Sequence, residues 1–156
     1  MFTVSVLLPF LIMANLLLST YAYYVELRVA RAHRGGENYQ AYCDVGAFSC
    51  TRVFTSEYGS ITQFVGLPAV SNALLGVVFY LLELILCRNL FLMLWLAAFS
   101  CVFSLLLFLI LVFVLRDLCL VCCSMYIVNV VTYAIVLWSK RQEEGALGWT
   151  SRPHID

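Results

Sequence analysis

Cys119 and Cys122, in Asp117-Leu118-Cys119-Leu120-Val121-Cys122-Cys123, stand at the head of an apolar run that continues to Trp138. A Cys-x-x-Cys pair at a helix start has a specific chemistry. The helix N-terminus carries partial positive charge and free backbone N–H groups, which favour thiolate over thiol. The spacing lets the two sulfurs close as a disulfide or open to a dithiol. The run behind them is long enough to lie in a bilayer, so the pair would meet lipid-soluble electron carriers on one side and protein thiols on the other. The plain alternative is two ordinary buried cysteines that happen to fall at this spacing.

The elements that must position this pair are apolar to an unusual degree. The chain has 156 residues, 63% of them hydrophobic and 12% charged, whereas a soluble domain is about 45–50% apolar and about 25% charged. Mean hydropathy is +0.96. Such a chain cannot cover its surface with polar groups and reads as an integral membrane protein. The formal net charge of +0 gives no electrostatic case for nucleic acid. No repeat, P-loop or dinucleotide-binding glycine pattern occurs, and no metal site is expected. Of the seven cysteines, Cys87, Cys101 and Cys123 sit inside apolar runs, where cysteine is a small hydrophobe. Cys43, Cys50, Cys119 and Cys122 lie at or outside the ends of those runs. That split suggests two working pairs facing one aqueous side, in an oxidising compartment.

Four apolar runs follow one another, at about residues 3–24, 71–87, 90–114 and 119–138; runs of about 17–25 residues match a bilayer. The first lacks a basic head and a clean cleavage site, and reads as a retained span. Its Asn15, Ser19 and Thr20 suit interhelical hydrogen bonds. A polar segment from Glu26 holds Arg28, Arg31, His33 and Arg34, a helical extension broken at Gly35-Gly36. Residues 51–59 read as a short helix ended by Gly59. Ile61 to Pro68 is either a lid with Phe64 and Leu67 toward lipid or a plain loop. Ser71 or Asn72 caps the second run. Glu83, about a turn from Arg88, is expected to snorkel to water. A polar tail, 139–156, is expected to lose order from about Gly148.

The turns at Arg88-Asn89 and Arg116-Asp117 are too short for anything but antiparallel neighbours. The expected fold is all-α: a four-helix membrane bundle with a loop and short-helix cap, residues 26–70, between spans one and two. Four spans put both termini on one side and bring Cys43, Cys50, Cys119 and Cys122 to the other. The positive-inside rule does not choose the side. Arg28, Arg31, Arg34, Arg52 and Arg116 face Arg88, Lys140, Arg141 and Arg152 across the membrane. The cysteines decide it: the cap is lumenal and the tail cytosolic.

Several motifs then resemble one family. Cys-Asp-Val-Gly at Cys43–Gly46, Ser-Cys at Ser49–Cys50 and Arg-Val-Phe at Arg52–Phe54 are similar to the lumenal loop of vitamin K epoxide reductases. Ser71-Asn72 with Gly76 and Phe79-Tyr80 resembles the start of that family's second helix. Asp117 to Cys122 with Tyr126 resembles its fourth, and Ser19-x-Tyr21-Ala22 the end of its first. The resemblance covers the chain to about residue 140, and fits either the reductase or its reductase-like paralogue. It departs in a Cys43–Cys50 spacing one residue tighter, in Cys123, and in a shorter stretch between Phe54 and Asn72, where Glu57-Tyr58-Gly59-Ser60 replaces a Trp-Gly-Arg-Gly type segment. A shortened lid bears on substrate affinity and on coumarin-type inhibitors.

The resemblance implies a reductase of vitamin K epoxide and quinone in the endoplasmic reticulum membrane, with no tightly bound cofactor. Cys122 would attack the substrate and Cys119 would resolve it. Cys43 and Cys50 would relay electrons, Cys50 reaching Cys119 through a mixed disulfide. Cys43 would close a Cys43–Cys50 disulfide that a lumenal thioredoxin-like or protein disulfide isomerase-type partner reduces. Asn72 and Tyr126 would hydrogen-bond the two ketone oxygens, and Phe54 would pack on the ring. Each residue also has a plain role: Asn72 as a helix cap, Tyr126 as an interface aromatic. Tyr126 lies four residues after Cys122, on the same helix face. Two other readings use the same residues: a quinone-dependent oxidase that makes disulfides for secretory proteins, and a four-span scaffold with a static loop disulfide. The second lacks the loop motifs of tetraspanin-like and claudin-like proteins, and has no need of Cys-x-x-Cys at the mouth of a span.

Overall fold

The computed structural model describes residues 2–36, 39–46, 48–60, 66 and 70–150. Most of the expected lid, including Phe64 and Leu67, lies outside the described residues. Among the described residues the chain is all-helical, with three helices long and apolar enough to cross a membrane. In order these are α1 (Phe2–Gly35), α2 (Cys50–Thr55), α3 (Asn72–Leu86), α4 (Leu90–Leu109) and α5 (Leu120–Thr150). A single 3-10 turn, Glu57–Gly59, follows α2 after a break at Ser56. The expected helix over 51–59 is therefore two pieces.

At 34 residues α1 is about 51 Å long, well over the roughly 30 Å of hydrocarbon it must cross. Its polar end from Glu26 thus projects beyond the apolar part. It stops where Gly36 takes a φ of 71°, a conformation open to glycine. The 15 residues of α3 reach only about 22 Å. Ser71 caps α3, accepting from the Ala73 and Leu74 N–H groups at 3.1 and 3.3 Å while its hydroxyl donates to the Glu26 carboxylate. After α4 the backbone widens into a π turn over Ile110–Leu115, and Arg116 follows in the left-handed region at φ 53°. The last helix continues past Trp138 to Thr150, and residues 151–156 lie outside the described residues.

Helix α1 packs along α3 and α5, and α4 packs along α5. At the α1–α3 crossing a Cβ on Gly76 would overlap the Ser19 hydroxyl, and that hydroxyl donates to the Ala73 carbonyl at 2.8 Å. Small residues let the two backbones approach. Deeper down, each long helix and α3 contributes one side chain to a buried polar layer. The Asn15 amide donates to Asn129 Oδ1 at 2.7 Å, and the Asn129 amide donates to the Tyr80 and Ser104 hydroxyls at 3.0 and 2.8 Å. Thr20 instead bonds within its own helix, to the Leu16 carbonyl.

Glu83 corrects an expectation. It does not snorkel: it is 1% exposed, and its Oε1 has no hydrogen-bond partner among the described residues. The reason is register. Glu83 follows Tyr80 by three positions and shares its inward face, so nearness to the helix end does not bring it to water.

Asn129 is the hub of the polar layer. Asn129→Leu strands three partners and should cost about 1–2 kcal/mol, seen as a lower unfolding midpoint in detergent. Val130→Leu, on the exposed face of the same helix, should leave the midpoint unchanged; equal midpoints for both variants would show the layer carries no stability.

Candidate active site

Four sulfurs meet at the end of the helices where α1 projects. Cys43 and Cys50 form a disulfide with a Cα–Cα separation of 5.9 Å, and Cys119 and Cys122 are free thiols. The Cys119 sulfur lies 3.5 Å from the Cys50 sulfur. Both residues are fully buried, and Cys43 and Cys122 are each 7% exposed. Thiol–disulfide exchange needs an attacking sulfur within reach of a disulfide sulfur, and Cys50 and Cys119 are so placed.

Local sequence explains the placement. Cys119 precedes α5 and acts as its cap: the Cys122 backbone N–H donates to the Cys119 sulfur at 3.3 Å, the role an Asp or Ser usually fills. The Cys122 thiol also donates to that sulfur, and together with the N–H groups of Cys122 and Val121 it holds the Cys119 thiol below the usual cysteine range, against the opposing effect of burial. Cys50 opens α2, and Ser49 caps it by accepting from Arg52 N–H. The two helix starts are then tied together. Ser49 N–H donates to the Leu118 carbonyl at 2.9 Å, and Phe48 bridges Leu118 in parallel. One Arg52 guanidinium nitrogen reaches both Asp117 oxygens, at 3.0 and 3.1 Å. Arg52 is largely exposed, so this pair is worth about 0–1 kcal/mol; it orients more than it stabilises. Asp44 orders the loop, accepting from the Thr51 N–H at 3.0 Å and from its hydroxyl.

Beneath the sulfurs lies a cleft with a cavity volume of about 80 Å³, partly open to the surroundings. The α1, α2, α3, α4 and α5 helices all contribute to its wall, as do the 3-10 turn and the π turn. Its lining is mostly apolar: Ala22, Val53, Phe54, Leu111, Leu115 and Met125. Cys122, Asn72 and Tyr126 are among its few polar groups. Such a surface suits an apolar ligand with a few polar atoms. Asn72 is the first residue of α3, not its cap, and its amide donates to the Tyr58 carbonyl at 2.7 Å, holding the 3-10 turn over the cleft. Tyr126 lies one turn after Cys122 and lines the cleft with it, and its ring meets Phe108 edge-on.

All seven residues singled out from the sequence thus fall in one region: Cys43, Cys50, Cys119, Cys122, Asn72, Tyr126 and Phe54. The Arg52–Asp117 tie and the π turn were not anticipated. The first had a signal, in opposite charges two residues after Cys50 and two before Cys119. Cys123 is half-buried and packs against the core, as a helix-packing cysteine should.

A membrane helix bearing a capped Cys-x-x-Cys pair, docked against a loop disulfide and walling an apolar cleft, is an arrangement that can carry out thiol–disulfide exchange. Comparison with known proteins narrows the class. The chain belongs to the vitamin K epoxide reductase family, whose sequence profile matches residues 6–137. It is 41% identical over 133 residues to vitamin K epoxide reductase complex subunit 1 of the mouse, Mus musculus, covering 77% of this chain and 80% of that one. The protein of the same name from the rat, Rattus norvegicus, is 38% identical over 132 residues, with 76% and 80% covered.

Removing Cys43 frees Cys50 beside Cys119. In a Cys43→Ala variant under mild oxidation, non-reducing peptide mapping should find a Cys50–Cys119 disulfide as the main product. Pairing of Cys50 with Cys122 instead would contradict the geometry.

Proposed function

We propose that this chain is a four-helix membrane reductase that uses thiol electrons to convert vitamin K epoxide to the quinone, and the quinone to the hydroquinone. The observation that carries the reading is the shared position of Cys119 and Cys122. Cys119 touches the loop disulfide, and Cys122 lines a cleft suited to a quinone. In the first half-reaction, the Cys122 thiolate attacks an epoxide carbon and opens the ring to a hydroxyl. Cys119 then attacks the Cys122 sulfur, closing the Cys119–Cys122 disulfide, and the carbon–sulfur bond breaks to leave the substrate as an enolate. The enolate expels the hydroxyl as water to give the quinone. In the second, the same dithiol gives two electrons and two protons to the quinone. Asn72 and Tyr126 are assigned to the two ketone oxygens, and Phe54 to the face of the ring. No bound cofactor is required, since the disulfides carry the electrons.

Recharging runs through the loop. With Cys43 and Cys50 reduced, the Cys50 thiolate attacks Cys119 in the closed Cys119–Cys122 pair; Cys43 then attacks Cys50 and frees Cys119. We place α3 as the fourth crossing, its capped start tied to Glu26 and to the Tyr58 carbonyl. The cap faces the lumen of the endoplasmic reticulum, where a thioredoxin-like reductant is available, and both termini face the cytosol. Coumarin-type inhibitors would compete for the same cleft. Family membership favours this direction over a disulfide-forming oxidase, and the 3.5 Å approach of Cys119 to Cys50 disfavours a static scaffold.

In microsomes, Cys122→Ala and Cys119→Ala should abolish epoxide turnover with any reductant. Cys43→Ala and Cys50→Ala should abolish turnover driven by a protein dithiol yet keep most of that driven by dithiothreitol; equal loss under both reductants would contradict the relay. Tyr126→Phe should raise KM for the quinone about tenfold, the effect of one lost buried hydrogen bond. An unchanged KM would remove Tyr126 from the ketone site.

A further inference from the structure

Cys50 is fully buried and faces Cys119, and Cys43 is 7% exposed. Of the loop pair, Cys43 is therefore the sulfur that an outside protein thiol can approach, among the described residues. The backbone around that sulfur is pinned. Asp44 N–H donates to the Ala41 carbonyl at 3.0 Å, which makes Tyr42 and Cys43 the centre of a turn. Ala41 N–H donates to the Thr51 hydroxyl at 3.1 Å, and that hydroxyl donates to Asp44. Phe48 N–H donates to the Val45 carbonyl at 3.0 Å. This framework holds two large apolar side chains outward on either side of Cys43: Tyr42 is 90% exposed and Val45 61%. The neighbouring end of α1 is basic. Arg31 and Arg34 are exposed, and the Arg28 guanidinium lies over the rings of Tyr24 and Tyr39, 6.0 and 5.6 Å from their centroids.

We propose that Tyr42 and Val45, with the basic end of α1 beside them, form the docking surface for the protein that reduces this chain. The partner is a thioredoxin-fold dithiol protein with an apolar rim around its Cys-x-x-Cys pair and an acidic flank. The inference rests on the relay proposed above. Apolar groups at this level of exposure, held rigidly next to a sulfur that a second protein must attack, fit an interface anchor. The basic flank selects an acidic partner and speeds encounter. The exchange balances. The partner's thiolate attacks Cys43, the Cys43–Cys50 bond breaks, and Cys50 leaves as thiolate toward Cys119. The partner's second thiol then attacks its own mixed-disulfide sulfur and releases Cys43. Two electrons and two protons pass inward, and the partner ends as a disulfide.

The test uses full-length protein in nanodiscs, with the loop pair oxidised. Reduction of Cys43–Cys50 is followed by alkylation and mass shift, with either dithiothreitol or a reduced Cys-x-x-Cys domain of protein disulfide isomerase type. A Tyr42→Ser/Val45→Ser variant should react about tenfold more slowly with the protein dithiol and at the wild-type rate with dithiothreitol, which also reports an intact loop. Arg31→Glu/Arg34→Glu should weaken the salt dependence of the protein reaction. Unchanged rates with both reductants would overturn the proposal, as would equal slowing with both. A defect seen in nanodiscs but not in detergent would assign Tyr42 to the membrane surface and likewise overturn it. Failure of the functional reading looks different: the protein dithiol would reduce wild-type Cys43–Cys50 normally while vitamin K epoxide went unconsumed.

Discussion

The structure turns on one sulfur at a helix end. Cys119 caps α5, accepting an N–H from Cys122 at 3.3 Å, and lies 3.5 Å from Cys50. The cap does two things together. It stabilises negative charge on Cys119, as helix N-termini do, and it sets the rotation of α5 so that Cys122 faces the cleft. The same sulfur thus lies against the loop disulfide on one side and its own helix partner on the other. A serine or aspartate at this position would cap the helix equally well and carry no electrons.

The surrounding architecture fixes that sulfur in space by two different kinds of force. At the sulfur end, an exposed ion pair and a backbone hydrogen bond join α2 to the start of α5. In the bundle interior, Asn15, Tyr80, Ser104 and Asn129 hold the helices by buried hydrogen bonds. In hydrocarbon these bonds have no competition from water, and they specify which helix faces meet. Apolar packing alone would leave the rotation of α5 less defined, and Cys122 with it.

Much of this was legible in the chain, and the reasons are physical. Hydropathy located the apolar helices because a bilayer requires unbroken runs. Counting four runs brought the four outer cysteines together without knowledge of any contact. The cap of α3 was narrowed to Ser71 or Asn72, and Ser71 fills it. Asn15 and Ser19 bond between helices as expected, because a polar group in an apolar run has few other places to go, while Thr20 bonds within its own helix. Glu83 was misread because position along a helix says little about which face it occupies; its three-residue offset from Tyr80 was the better guide. The π turn at Ile110–Leu115 left no trace, since Ile, Leu, Val and Phe suit an α-helix equally well. The Arg52–Asp117 tie links residues 65 positions apart, and became visible only once each charge was seen next to its own cysteine.

The most direct measurement of the central claim is a disulfide census during steady turnover. Wild-type protein in membranes, consuming vitamin K epoxide with a thiol reductant, is quenched in acid, alkylated and mapped without reduction. The account predicts three linkages and no others among these sulfurs: Cys43–Cys50, Cys50–Cys119 and Cys119–Cys122, with Cys119 shared between the last two. A population of Cys50–Cys122 or Cys43–Cys119, or a Cys43–Cys50 bond that never opens, would contradict it.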